Sequence, residues 1–193
     1  MIPLTIVALC ITALMPFALA PLARIRHRAA PLTAAGILVA AVGICALLAH
    51  TAGTPHGAGR TITIIAATLA AISGGGIVVR AVLLLGGISP WASDDAGEPT
   101  PPDPDPDTND PVPPSVSGPL RGGRLIGFLE RGCVAVVLLA HWPAGLAIIL
   151  ALKGLARYPE LREPHASEQF IIGTFTSVLW AAAAAGTGYL LLT

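Results

Sequence analysis

Long apolar runs alternate with short polar segments along this chain, and their lengths predict helices that cross a membrane. A spanning helix needs about 20 predominantly apolar residues. Only 11% of the residues are charged and 54% are hydrophobic, whereas a soluble domain carries about 25% charged residues. The pattern predicts an all-α, multi-pass transmembrane helical bundle of six spans, at residues 2–23, 32–49, 61–87, 120–141, 143–158 and 168–192.

The first three runs form a predicted N-terminal three-span membrane region at residues 1–88. Arg24, Arg26 and Arg28 follow the first run, whereas a signal peptide carries its basic residues before the apolar core. Because basic residues favour the cytoplasmic side of a membrane, we expect an uncleaved first helix with the N-terminus outside.

The third run contains Ser73-Gly74-Gly75-Gly76, followed by Arg80. Two alternatives are open for it. The helix continues and Arg80 reaches the inner interface with its long side chain, or the helix breaks at Gly74–Gly76 and an interfacial turn follows.

Residues 89–120 differ in kind from the rest of the chain. They contain ten prolines, seven acidic residues and no basic residue. Alternating Pro and Asp cannot form a helix and offer no apolar surface to bury, so we expect a disordered Pro/acidic linker. An acidic segment that binds a partner is the alternative.

A C-terminal three-span membrane module is predicted at residues 121–193, and it depends on a corner at His141-Trp142-Pro143. Proline disfavours helix at the residue before it and is preferred as the first residue of a new helix. Tryptophan is enriched at bilayer interfaces. We therefore predict two helices joined by a tight external turn.

The distribution of basic residues supports this corner. With two helices, every basic cluster of the second half lies on the cytoplasmic side, as the positive-inside rule requires. The resulting 3+3 topology places both termini outside and the linker in the cytoplasm. The clusters concerned are Arg121 and Arg124 before the first helix, and Lys153, Arg157 and Arg162 at or beyond the end of the second.

Glu130 and Lys153 are predicted to lie at the same depth. Glu130 precedes His141 by eleven residues and Lys153 follows Pro143 by ten, so both lie about 15–16 Å from the external turn. An unpaired charge near the middle of the bilayer costs about 2.5–3.5 kcal/mol on insertion scales. We therefore expect the two side chains to pair within an intramembrane ion network, which also includes Arg131, Arg157 and Glu168, the last at the start of the final helix.

This network has two interpretations. It is a structural ion network that fixes the register of the helices, or it binds an ion, a proton or a small anion. The last helix also carries small residues every four positions, which allow another helix to approach closely. These helix-packing residues are Gly173, Ser177, Ala181 and Ala185, and they form an internal contact or a dimer face.

No sequence motif indicates catalysis, a cofactor or a metal. The chain lacks the P-loop, the nucleophile elbow and the zinc-protease helix, and its three histidines near the predicted external side match no ligand spacing. Its cysteines, Cys10, Cys45 and Cys133, lie in apolar runs and are expected to be buried thiols. With eleven basic and eleven acidic residues, no global charge favours nucleic acid.

Residues 121–192 resemble the C-terminal membrane module of a family of uncharacterised bacterial integral membrane proteins. The resemblance is carried by Gly122-Gly123-Arg124-Leu125-Ile126-Gly127-Phe128-Leu129-Glu130-Arg131, by Lys153 with Arg157-Tyr158, and by Glu168-Gln169-Phe170-Ile171-Ile172-Gly173-Thr174 with Ser177. It implies a membrane protein without a known activity. His141-Trp142-Pro143 departs from the more polar turn of that family.

These observations favour a non-enzymatic structural or interaction component of the bacterial plasma membrane. Its expected partners are the lipid bilayer and a membrane protein or a second copy of the chain. The alternative is a small transporter or an ion or proton pathway that uses the charged layer around Glu130 and Lys153. A broken third helix and two oppositely oriented halves would fit such a carrier. An intramembrane enzyme is the third hypothesis.

Overall fold

The computed structural model describes residues 2–23, 29–88, 123–156, 158 and 164–193. This part of the chain is all-helical and contains no strand. Its six helices are α1 (Ile2–Ala23), α2 (Ala29–Thr51), α3 (Ala58–Leu85), α4 (Gly123–Leu139), α5 (Ala144–Ala156) and α6 (Pro164–Leu192). The predicted linker at residues 89–120 lies outside the described residues.

Four of these helices are long and apolar enough to cross a membrane. They contain the apolar segments Ile2–Pro21, Ala29–Thr51, Ala58–Leu85 and Ser167–Leu192. The helices α4 and α5 have 17 and 13 residues, so they are about 25 and 20 Å long. Because the hydrocarbon core is about 30 Å thick, length supports four spans, and the remaining two of the predicted six stay a prediction.

Helix α3 is continuous through its glycines, from Ala58 to Leu85. The alternative of a break at Gly74–Gly76 is therefore wrong. Gly74 and Gly75 are buried against other helices, whereas Gly76 is exposed. Side chains of other helices pack directly onto the backbone at Gly74 and Gly75. This packing stabilises the continuous helix.

The last helix begins earlier than the apolar run predicts. The apolar run predicts a start at residue 168 with Glu168 opening the helix, but α6 starts at Pro164. Proline is well suited to the first helical position, since its missing N–H would have no partner there. Glu168 therefore lies in the second turn, where its side chain is exposed.

The chain reverses at the predicted corner. Helix α4 ends at Leu139 and α5 begins at Ala144. His141 adopts a left-handed backbone with φ of 60°, and the N–H of Trp142 donates to the carbonyl of Val137 at 2.8 Å. This bond closes the end of α4, as in other helix C-caps that use a left-handed residue.

Helix α3 lies at the centre of the bundle and packs on α1, α2, α4 and α6. Helix α6 also packs on α2 and α4, while α5 packs chiefly on α4. Helices from both predicted membrane regions therefore share one core. Small residues dominate that core, since Ala66, Ala67, Ala70, Ala71, Ala181, Ala184 and Ala185 are all buried.

Contacts of two glycines show the relative direction of α3 and α6. Gly173 of α6 lies opposite Val79 of α3, and Gly188 lies opposite Ala67. As the residue number rises along α6 it falls along α3, so the two helices are antiparallel. Small side chains along both helices permit this close approach.

Candidate functional site

Polar side chains of α4 and α6 meet the backbone of α3 at half the height of the bundle. Ile72 lies 14 residues after the start of α3 and 13 before its end, and Arg131 lies eight residues from each end of α4. Ser177 is 13 residues from the start of α6 and 15 from its end. We call the set Ile72, Gly74, Gly75, Arg131, Ser177 and Trp180 the mid-height layer.

Arg131 is the buried charge of this layer. Its side chain is only 6% exposed. The guanidinium donates from Nε to the backbone carbonyl of Ile72 at 2.9 Å and from one terminal nitrogen to Oγ of Ser177 at 3.4 Å. It also lies 5.4 Å from the centre of the Phe128 ring, within the range of a cation–π contact. Arg131 therefore joins α4 to both α3 and α6.

Gly75 makes this position of Arg131 sterically accessible. A Cβ atom on Gly75 would lie 2.7 Å from Nε and 3.0 Å from Cζ of Arg131. The carbonyl of Ile72 already accepts the helical N–H four residues later, and its second lone pair is free for a side-chain donor. Without a side chain at Gly75, the guanidinium can reach that lone pair.

Trp180 uses the neighbouring glycine in the same way. Its indole N–H donates to the carbonyl of Ala70 at 3.1 Å, and its side chain is 4% exposed. A Cβ atom on Gly74 would lie 2.7 Å from Cε2 of the indole. Gly74 is four residues after Ala70, so its missing side chain exposes the carbonyl that accepts the indole proton.

A third polar contact ties α1 to the same level of α3. Oγ of Ser73 donates to the carbonyl of Ala13 at 3.0 Å. Ala13 lies eleven residues after the start of α1 and ten before its end. Each of these donors reaches a backbone carbonyl of another helix, so this level of the bundle is held by side-chain-to-backbone bonds.

Glu130 and Lys153 form an ion pair between α4 and α5. The Lys153 and Glu130 side chains retain 18% and 24% exposure, so the pair lies nearer the protein surface than Arg131. The ammonium of Lys153 also lies 5.8 Å from the centre of the Phe170 ring. The pair therefore holds α5 against α4 at the level where α4 crosses α3 and α6.

Two other members of the predicted network, Arg131 and Glu168, form no ion pair within the described part of the chain. Arg157 lies outside the described residues. Glu168 is exposed, and within the described part of the chain no cation forms an ion pair with it. Arg131 binds a carbonyl and a hydroxyl, and no described carboxylate lies within ion-pair distance of it.

The four predicted packing residues of α6 lie toward its neighbours. Ser177, Ala181 and Ala185 are buried, and Gly173 is partly buried beside Val79 of α3. The stripe thus contacts other helices of the same chain along its length. Trp180 comes directly before Ala181 of the stripe, and the missing side chain of Gly74 makes room for its ring.

Sequence reasoning missed Gly74, Gly75 and Trp180 as partners. The signal was present in α3, where small residues recur every four positions at Ala66, Ala70 and Gly74 and at Ala67, Ala71 and Gly75. This repeat matches the stripe of α6. Three glycines in a row are unfavourable in an isolated helix, so the sequence left a break open beside a continuous helix and did not indicate these contacts.

The cysteines do not share one environment. Cys45 is buried and lies 3.4 Å from the hydroxyl oxygen of Thr12, whereas Cys10 is partly buried and Cys133 is exposed. The prediction of three buried thiols is thus wrong for Cys133. Its side chain lies at an open groove between α4 and α5, so neither helix covers it.

An apolar groove of about 410 Å³ lies between α4 and α5. Its lining includes apolar side chains of both helices, Ile72 of α3 and Trp142 of the turn. Val136, Trp142 and Ile148 line it and are each more than half exposed. The groove is therefore open to the surroundings of the bundle.

This chain matches no protein-family model, no curated protein and no solved structure. The resemblance of residues 121–192 to an uncharacterised family therefore stays a prediction from its motifs.

Proposed function

We propose that this protein is a six-span, non-enzymatic structural or interaction component of the bacterial plasma membrane. The four long apolar helices support the membrane location. In this proposal the shorter helices α4 and α5 also lie within the membrane. His141, at the corner between them, packs against Tyr189 with 4.8 Å between ring centres and the rings tilted by 50°. Tyr189 lies three residues before the end of α6.

The proposed orientation keeps both termini outside and the linker in the cytoplasm. Six crossings place the N-terminus and the C-terminus on one side, and they require α3 and α6 to run in opposite directions. The antiparallel contacts of Gly173 with Val79 and of Gly188 with Ala67 agree with this requirement.

The arrangement of Arg131 is the observation that carries the structural interpretation. Its guanidinium is fixed by the carbonyl of Ile72 and the hydroxyl of Ser177, and it fits against Gly75 with no room for a methyl group. Every buried side-chain nitrogen and oxygen of the described residues has a hydrogen-bond partner. A transported ion needs polar groups that it can bind and release, whereas these groups are already engaged with the protein.

An ion or proton pathway is the second candidate, and one observation favours it. Arg131 adds a buried positive charge beside a pair, Glu130 and Lys153, that is itself neutral and partly exposed. A small anion that entered this level would be attracted by the net charge. Charged residues that face a bundle interior frequently mark such pathways.

Accessibility of the mid-height layer to water separates the two candidates. In a chain whose three native cysteines are replaced by alanine, Ser177→Cys introduces a thiol beside Arg131 with little change in volume. We expect a charged, membrane-impermeant thiol reagent to leave it unmodified in intact vesicles. His56→Cys, at an exposed position between α2 and α3, is the positive control, and Gly43→Cys on an exposed face of α2 is the lipid control.

Modification of Ser177→Cys above the level of Gly43→Cys would contradict the structural proposal and support a pathway. Equal, rapid modification of all three positions would contradict the membrane location itself. Protection of Ser177→Cys together with reaction of His56→Cys is the result that the proposal requires.

A further inference from the structure

The groove between α4 and α5 is about as long as one membrane leaflet is thick. It extends along α4 from Phe128 to Val137, nine residues or about 14 Å. Trp142, at one end, is more than half exposed and lies beside His141, which contacts the end of α6. Half of a 30 Å hydrocarbon core is about 15 Å, so the groove extends from the level of the turn to the middle of the bilayer.

The polar pair of the site lies beside the inner end of the groove. Ile149 lines it, and Lys153 follows on the same face of α5, since residues four apart are neighbours on a helix. Lys153 pairs with Glu130, which is next to the lining residue Leu129. The groove is thus apolar along its length and bounded by an interfacial tryptophan at one end and an ion pair at the other.

The volume of the groove suits one hydrocarbon chain. A volume of about 410 Å³ spread over a length of about 14 Å gives a mean cross-section of about 30 Å². A single hydrocarbon chain, whose carbon atoms approach others at about 3.5–4.0 Å, fits this cross-section.

We propose that the α4–α5 groove is a binding site for one hydrocarbon chain of a lipid in the leaflet on the side of the Trp142 turn. This inference rests on the proposed membrane placement of α4 and α5. The chain enters beside Trp142, where indole rings are favoured at headgroup level, and its end reaches Phe128. Because α5 packs chiefly on α4, a space between these two helices stays open. The hydrocarbon chain fills that space.

Photocrosslinking in vesicles tests this proposal. The full-length protein is reconstituted in phosphatidylethanolamine and phosphatidylglycerol that contain a trace of phosphatidylethanolamine with a diazirine on one acyl chain. We expect labelled positions to concentrate at the groove, with several-fold more label there than on the exposed face of α1 around Phe17. An acyl chain in the groove contacts side chains of two helices and of the turn, whereas a chain on α1 contacts a single helix face, so dispersion contacts favour the groove.

The variant Gly132→Leu tests the site directly by filling the groove. A Cβ atom at Gly132 would lie 3.5 Å from Cδ1 of Ile72, an ordinary contact, so we expect the fold to tolerate the change and the enrichment to disappear. Gly43→Leu is the matched control, since a Cβ atom added at Gly43 of α2 would have no neighbour within 4 Å. If Gly132→Leu does not fold, Cys133→Leu fills the same groove from an exposed position.

Each remaining outcome overturns a distinct claim. Uniform labelling of α1 and of the groove, or enrichment that survives both groove-filling variants, would overturn the lipid site and leave the membrane placement intact. An oxidised crosslink between two copies through Cys133 in place of lipid label would assign the groove to a second chain. Absence of label from every helix would contradict the membrane placement on which both proposals rest.

Discussion

Substitution of Gly74 by alanine perturbs one contact of the central helix pair and has a control in the same helix. A Cβ atom at Gly74 would lie 2.7 Å from Cε2 and 3.1 Å from Cη2 of Trp180. The indole is rigid and buried, so it cannot move aside without losing its bond to the carbonyl of Ala70 at 3.1 Å. Gly76, two positions later, has nothing within 4 Å of the same added atom.

The comparison of Gly74→Ala with Gly76→Ala isolates the packing contribution. Alanine favours a helix over glycine by about 0.8–1.0 kcal/mol at an interior position, and this gain is common to both variants. Overpacking costs about 1–3 kcal/mol, and an interhelical hydrogen bond in a membrane contributes about 0.6–1.7 kcal/mol. We therefore expect Gly74→Ala to be about 1.6–4.7 kcal/mol less stable than Gly76→Ala.

The assay is reversible unfolding of the full chain in mixed micelles by titration with a denaturing detergent, followed by circular dichroism. The companion variant Trp180→Leu removes the ring, so Gly74→Ala in that background should lose most of its cost. Such a double-mutant cycle measures the coupling between the two positions. Equal stability of Gly74→Ala and Gly76→Ala, or an undiminished cost in the Trp180→Leu background, would refute the proposed fit of ring and glycine.

Two further predictions concern the attachment of α5 to α4. Glu130→Lys and Lys153→Glu should each lower the amount of folded protein in the membrane, because two like charges then meet where an unpaired charge costs about 2.5–3.5 kcal/mol. The double exchange should restore the amount of folded protein. Normal yields for both single variants would count against the pair. Gly145→Ala places a methyl group 2.9 Å from Cγ1 of Val137. It should lower the free energy of unfolding in detergent by about 1–3 kcal/mol. Gly154→Ala, with open space around it, should not, and equal effects at the two glycines would show that the corner is not tightly packed.

The sequence determined the helical class and the position of the corner. Apolar runs near 20 residues can satisfy their backbone groups in lipid only as helices, and proline after Trp142 ends one helix and starts another. The nearly equal spacing of Glu130 and Lys153 from that corner also indicates one depth for both, and the structure joins them in an ion pair. These features are local, because they follow from chain direction and residue spacing alone.

Only the tertiary structure decided which partners Arg131 and the glycines of α3 have. Gly74 and Gly75 look like a helix break when α3 is considered alone, since glycine lowers helix stability there. Packed in the bundle, they are the two positions at which Trp180 and Arg131 reach the carbonyls of Ala70 and Ile72. The outcome depends on the rotation of α3 about its axis and on its register against α4 and α6. Those quantities are set by the interlocking of side chains from distant parts of the chain, which the spacing of residues within one helix does not specify.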